Sequence, residues 1–423
     1  MQAAPAVAQV TVEVKNPDGE VVASGSAKPG GGVDLGDFTT EEFVSFEVRG
    51  ADAAGNAVLR GRSLGFVAGA LDGEVLPLFA QRLGVFSRPP GGIPNGHTFG
   101  VATIIAERWL LSTGGSRAVT TSGAEADIAS ADFYDLFAWD GASSDPLPRA
   151  ASSIVARSTT VLLIDGAGAT WFDFDSGATS EASAPGGISF ANIAGGATIE
   201  APDGVTFVVG ATRPASSGAA ATTTILRVDA DGDLTAAALS TPRLGAAATW
   251  IEGIGLVVAG GSKGGAGAEV LGADDELARA LPFLASAVHG ATLVSIGEST
   301  ALRVGGVDFN EDGEIAAATG VLSLTCSVDC VLDAFPDVAT LPSLTRTTAY
   351  STARGVLVIG GDATGATRAF LVPLDRTAAI EIPLREPRIG AAVTPAPNGT
   401  LAVIGGILPD GKGATRVEMF FPE

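Results

Sequence analysis

Between Thr98 and the C-terminus one phrase recurs seven times: a short apolar run, a small-residue pair that is usually Gly-Gly, a polar loop, and a second strand-like run. The second residues of the pairs are Gly115, Gly166, Gly210, Gly261, Gly306, Gly361 and Gly406, at spacings of 51, 44, 51, 45, 55 and 45 residues. A period in this range marks a propeller or solenoid, because a unit this small cannot bury its apolar surface without neighbours. The runs before the pairs are WLLST, VLLI, TFVV, LVVA, LRV, VLVI and LAVI. They are β-branched and too short between glycines for helices, so each reads as a buried strand.

A second phrase lies upstream of each pair. It is clearest as PRLGAAATW at 242–250 and PRIGAAVTP at 387–395, and weaker as PRAASSIV from Pro148. Its Ala and Gly suit a first strand where backbones crowd, as at the inner edge of a propeller blade. Arg149, Arg243 and Arg388 stand 17 or 18 residues before the second glycine, and the only two histidines, His97 and His289, keep the same offset. That shared place reads as architecture and not as a catalytic pair.

These units resemble the kelch family of β-propellers, in which an apolar first strand is followed by a second ending in Gly-Gly. The resemblance is best at LAVIGG (401–406) followed by RVEMFFP (416–422), and weakest where Asp165-Gly166 and Val209-Gly210 replace the glycine pair. It implies an all-β, seven-bladed kelch-like propeller over 83–423, six or eight blades being the alternative counts. A propeller must pair its last blade with its first or leave open edges. The segment 74–90 is the natural donor of a closing strand, and equally a candidate last strand of what precedes it.

Residues before about Arg82 lack the repeat. VTVEVK (10–15), EVVASGSA (20–27), FVSFEVRGAD (43–52) and AVLRGRSLGFV (57–67) alternate with period two, and NPDG separates the first two. That pattern predicts half-buried antiparallel strands in a small β-sandwich over 9–82, similar to immunoglobulin-like or transthyretin-like modules, after a flexible 1–8.

The formal net charge is −22 with only four lysines, Lys15, Lys28, Lys263 and Lys412, which argues against nucleic acid or anionic lipid as partner. No run approaches a membrane span. MQAAPAVAQ is too short and uncharged for a secretory leader and reads as the start of a mature chain, with a lipid-anchored leader upstream of residue 1 as one origin. Cys326 and Cys330 are spaced for a local disulfide, which would imply an oxidising, extracytoplasmic compartment (periplasmic, outer-membrane-associated or secreted). A metal site there needs two further ligands, and two free thiols are the remaining reading.

Galactose oxidase, a kelch-type copper enzyme, needs two Tyr and two His ligands and a Cys bonded to a Tyr. Tyr134 and Tyr350 are the only tyrosines here, and the two cysteines are expected to pair with each other and leave none to bond a tyrosine, so that chemistry is excluded. No nucleophile elbow, Walker loop or H-E-x-x-H occurs, and no catalytic or cofactor-binding residue is assigned. Two acidic turns are candidates for calcium: 229–233 (DADGD), and Asp308, Asn310, Asp312 and Glu314, which match the start of a calcium loop but lack its bidentate Glu, Thr319 standing twelfth. Asx-Gly turns are also ordinary hairpin connections.

Propeller function resides on the loops of one face. In kelch proteins the loops after the glycine pair line it, which nominates Arg117, Glu125 and Asp127, then Lys263, Asp308 and Glu311, and finally Asp362, Arg368, Asp410 and Lys412. The expected function is that of a non-catalytic extracytoplasmic scaffold whose propeller face docks a protein within an envelope assembly. The alternatives are a glycan-binding propeller, against which the scarcity of loop Trp and Tyr counts, and a carbohydrate-active kelch enzyme, for which no acid-base pair is visible.

Overall fold

The computed structural model describes residues 6–36, 39–71, 75–116, 119–120, 123–124, 129–214, 218–261, 267–281, 288–309, 315–317, 322–326, 330–334, 341–375 and 378–422. Among the described residues the regular elements are β-strands and four short 3-10 turns. The alternating runs at the start form Gln9–Lys15 (β1), Val21–Ala27 (β2), Phe43–Ala51 (β3), Ala57–Arg62 (β4), Phe66–Val67 (β5) and Gln81–Arg82 (β6). They pair antiparallel in the order β2-β1-β3-β4-β6, with β5 also on β3. The sandwich expected here is thus a single six-stranded sheet among the described residues. Its apolar face, with Val14, Val44 and Phe66, is covered by Leu35, Leu71, Leu76 and Phe137, so the second layer is irregular chain and a neighbouring hairpin. Phe66 meets Phe137 edge-on at 5.7 Å, and Trp139 Nε1 donates to the Pro77 carbonyl at 2.8 Å.

The opposite face of this sheet carries charge. Glu47, 1% exposed, accepts from Lys15 Nζ at 2.6 Å and from Arg49 Nε and Arg60 Nε at 2.7 Å. Burial alone would raise the Glu47 pKa, but the bonds from Arg49, Lys15 and Arg60 outweigh it and hold the carboxyl at about 2.

From Val101 onward the described strands make seven consecutive antiparallel sheets of three to five strands, with one further two-stranded pair, Val119–Thr120 against Gly123–Ala124. Their first strands are Val101–Ile105, Ser153–Arg157, Ala197–Glu200, Ala247–Ile251, His289–Ser295, Thr345–Thr352 and Ala392–Pro395. Each lies against the next, and the last against the first, the sixth and seventh being joined by a bond from Tyr350 Oη to the Val393 carbonyl at 3.3 Å. The second strands explain their unbroken apolar sequence. In Thr160–Ile164, Val161 and Leu163 pack toward the preceding sheet, and Leu162 and Ile164 toward the following one. Each sheet is buried on both faces, so alternation is lost. Seven apolar clusters result, one between each neighbouring pair of sheets.

The segment 74–90 does both jobs expected of it. Gln81–Arg82 pairs with β4, and five residues later Ser87 exchanges backbone bonds with Met419, donating at 2.9 Å and accepting at 2.8 Å. Phe86 is fully buried between them, 5.3 Å from the Phe420 ring. Chain from upstream of the first repeat therefore completes the last sheet, whose own strands number three.

Candidate functional site

The glycine pairs end second strands and the Pro-Arg phrases begin first strands, so antiparallel pairing brings both to one face. Bridges Thr98–Ser116 and Ile389–Ile407 join them there. In four units both glycines are left-handed: Gly114 and Gly115 (φ 68° and 67°), Gly260 and Gly261 (76° and 75°), Gly305 and Gly306 (71° and 87°), and Gly405 and Gly406 (68° and 91°). A Cβ on Gly405 would lie 2.6 Å from the His97 carbonyl oxygen of the next unit, so conformation and contact both demand glycine.

The residue 17 or 18 positions upstream staples this turn. Arg243 Nη1 donates to the Gly260 carbonyl at 2.8 Å, while its Nε and Nη2 reach Glu269 Oε1 at 3.1 and 3.0 Å. Arg388 repeats the pattern, with Nη1 to the Gly405 carbonyl at 3.3 Å and Nη2 to Glu418 at 2.9 Å. Burial pushes the Arg388 pKa down, with Glu418 and Glu386 pulling the other way. Where the glycine pair is Asp165-Gly166, Arg149 Nη1 takes the Asp165 carboxylate instead, at 3.2 Å. His97 fills the place in the first unit: Nδ1 lies 2.9 Å from the Gly114 carbonyl oxygen and Nε2 2.8 Å from Asp132 Oδ2, so both ring nitrogens face acceptors as an arginine would. His289 is displaced by one residue and bonds the Leu244 carbonyl of the preceding unit through Nδ1 at 3.0 Å. Tyr134 Oη donates to the Pro90 carbonyl at 2.6 Å, and its burial raises the phenol pKa. These groups lie in separate sheets as parts of the frame.

One step inward, at the start of the first strands, lies a ring of left-handed residues: Phe99 (φ 57°), Gly245 (72°), Gly290 (70°), Arg346 (51°) and Gly390 (67°). Backbone bonds link them between units, Gly290 N to the Gly245 carbonyl at 2.8 Å and Phe99 N to the Gly390 carbonyl at 2.7 Å. Glycine holds this conformation without strain, whereas other residues pay about 1–3 kcal/mol for it. The two that are not glycine meet. Arg346 Cζ lies 4.2 Å from the Phe99 ring centre, across Gly390, where a Cβ would lie 2.8 Å from that ring. Phe99 is 45% exposed. Arg346 is exposed too, yet partial burial of its guanidinium pushes its pKa below the ordinary arginine value. It forms no ion pair among the described residues.

The residues nominated from sequence fare differently. Arg117, Glu125, Asp127, Lys263, Asn310, Glu311, Asp312 and Glu314 lie outside the described residues. Asp308 belongs to the strand Thr300–Phe309, whose backbone pairs it with Ala316. The second acidic turn is a hairpin connection, Asp229 Oδ1 accepting from Asp233 N at 2.8 Å. Asp362 turns inward on its own loop, accepting from Thr364 N and Oγ1 at 2.8 and 2.6 Å. Arg368 pairs with Glu381 at 2.8 Å, and Asp410 with Lys412 at 3.1 Å. Lys412 and Asp410 are both exposed, 80% and 52%. Sequence reasoning missed Phe99 and Arg346. The signal was there once units are aligned: both stand where Gly245, Gly290 and Gly390 stand.

No family model matches the chain, and no curated protein matches it. Among solved structures, β-propellers resemble it. A streptogramin B lyase superposes with a TM-score of 0.51 at 10% identity, over 79% of this chain and 96% of that one. The WD40 domain of Neurospora crassa Pan2 gives 0.49 at 9%, over 80% and 98%, and YjhT gives 0.43 at 12%, over 78% and 96%. At such identities the likeness is one of fold, carried by the first of these.

Proposed function

We propose that the seven sheets are the blades of a kelch-type propeller over 83–423, joined to a separate sheet domain over 9–82, and that the chain is a non-catalytic extracytoplasmic scaffold docking a protein at the mouth of the ring. One observation supports this above the rest: Arg346 laid on Phe99, each held in a strained backbone at a place that glycine fills elsewhere. Strain kept at an exposed position points to use, and arginine and aromatic side chains are the types that dominate binding energy. In a chain of net charge −22, an arginine without an ion pair among the described residues suits a partner that brings a carboxylate to the guanidinium and apolar surface to the ring. His97 and His289 are committed to frame contacts, which leaves no acid-base pair at the mouth among the described residues.

The extracytoplasmic reading rests on the cysteines. Backbone register sets Cys326 directly across from Cys330, and Cys326 is buried, an arrangement suited to a cross-strand disulfide. The function is tested by affinity capture from the native envelope fraction with the wild type, Arg346→Ala and Phe99→Ala. A protein held by the wild type and lost by both variants at unchanged melting temperature supports the reading. Equal capture by all three refutes docking at the mouth, and glycan binding that depends on Arg346 would replace a protein partner with a sugar.

A further inference from the structure

The charged face of the 9–82 sheet holds more cations than it pairs. Strand register sets Arg62 opposite Glu47 and Arg60 opposite Arg49, and with Lys15 these four share the face with only two carboxylates, Glu13 and Glu47. Arg49 and Arg60 both bond Glu47, whereas Arg62 forms no ion pair among the described residues. In a chain of net charge −22 this is a local cationic surface. Toward one end it turns apolar. Phe43 lies two and four positions from Ser45 and Glu47 on β3, hence on their face, and Val67 stands opposite it; the two are 47% and 45% exposed. The complementary combination stands on the fourth sheet. Its strands Ala268–Leu271 and Arg279–Ala280 are joined through Asp274, Asp275, Glu276 and Leu277, all exposed, with Leu277 at 62%. Asp274 and Glu276 form no ion pair among the described residues, and the nearby Arg227 bonds the Ala273 carbonyl and Thr235 instead. The segment is ordered: Ala238 N donates to the Glu276 carbonyl at 2.9 Å, and Ala278 N to the Ala238 carbonyl at 2.8 Å. Leu277 is thus held at the surface by a fixed backbone between buried neighbours.

We propose that a second copy of this chain docks on the charged face, its segment 274–277 setting carboxylates against Arg62 and Arg49 and Leu277 against Phe43 and Val67. Charge complementarity selects the occupant and the apolar contact anchors it. The other acidic turns, 173–177 and 229–233, include no exposed large apolar residue, so they match only half of the surface. The two surfaces cannot meet within one chain. The 9–82 sheet joins the seventh sheet, through Ser87 on Met419 and through Arg60 Cζ, 4.7 Å from the Phe421 ring centre, and the fourth sheet stands across the ring from the seventh. Because different surfaces of the two copies meet, the contact is head-to-tail, and each assembled pair keeps a free face at one end and a free turn at the other. One turn on one sheet face covers less than the roughly 800 Å² per partner of a standard interface, so the association is weak, concentration-dependent and reduced by salt.

The test is sedimentation velocity of the full chain over a wide concentration range at low and high salt, with Arg62→Glu on the face and Asp274→Lys and Leu277→Ser on the turn. The wild type is expected to gain mass with concentration and to lose it in salt, and each variant to weaken association about tenfold. Arg62 and Asp274 form no ion pair among the described residues and Leu277 is exposed, so melting temperatures should stay unchanged. A head-to-tail contact makes a further demand. Arg62→Glu keeps an intact turn and Asp274→Lys an intact face, so their equimolar mixture should associate more strongly than either alone. A wild type monomeric at every concentration in low salt overturns the proposal, as do variants that associate like the wild type or a mixture no stronger than its components.

Discussion

Replacing Phe86 by Ala tests whether the chain upstream of the repeats closes the ring. Phe86 is fully buried among Leu357, Ile359, Leu401, Val403 and Phe420, between the sixth and seventh sheets, although it lies some 300 residues from them in sequence. Truncating a buried Phe to Ala typically costs about 3–5 kcal/mol, the transfer term plus the cavity left behind. Since a domain is stable by only about 5–15 kcal/mol, that is a large share of the total. Ser87→Pro removes the donor of one of the two bonds to Met419 and should cost about 1–3 kcal/mol more through the carbonyl left unpaired. The assay is urea denaturation followed by tryptophan fluorescence, reading the midpoint at constant slope. Trp139 reports the first sheet and Trp250 the fourth, so a co-operative ring should show one transition that shifts for both. A loss under about 1 kcal/mol for Phe86→Ala, or a chain starting at residue 91 that melts where the full chain does, would refute closure by this segment.

Four further outcomes are expected. Glu269→Ala leaves Arg243 buried without its carboxylate and should cost about 3–5 kcal/mol, most of it recovered in the double variant Arg243→Met with Glu269→Leu, as thermal melts of both beside the wild type would show. Glu47 titrates near pH 2 when folded against a reference of 4.5, so its contribution is fully present above pH 4.5 and lost as pH falls through 2. The gap corresponds to at most about 3 kcal/mol, reduced to about 1–2 because Arg49 and Arg60 are partly exposed, and Glu47→Gln should flatten the melting temperature over that window. Arg346→Gly should raise stability by about 1 kcal/mol while abolishing partner capture, a combination that a purely structural arginine would not give. Without reductant the unfolded chain should take up no iodoacetamide, and after reduction two equivalents, read by mass; two equivalents without reduction would overturn the Cys326–Cys330 bond.

What this sequence determines by itself is local and periodic. A glycine pair after an apolar run specifies a strand that must end in a left-handed turn, and seven such phrases at one spacing specify stacked sheets, since each is apolar on both faces and stable only between neighbours. The arginine offset is legible for the same reason, because Arg243 and Arg388 staple their own unit's turn and the whole contact repeats with the period. The tertiary structure decided what depends on pairings between distant segments. Residues 81 and 87 go to different sheets, although sequence presents 74–90 as one run, because β4 and Met419 offer edges from opposite ends of the chain. The expected sandwich became one sheet because Phe137, from the following unit, fills part of the second layer. His97 does the work of an arginine only because Asp132 and the Gly114 carbonyl arrive on its two sides. Arg346 and Phe99, 247 positions apart, become a site because ring closure sets the first unit beside the seventh and Gly390 leaves room between them. Periodicity carries the repeated contact, and only the closed ring brings together the residues that depart from it.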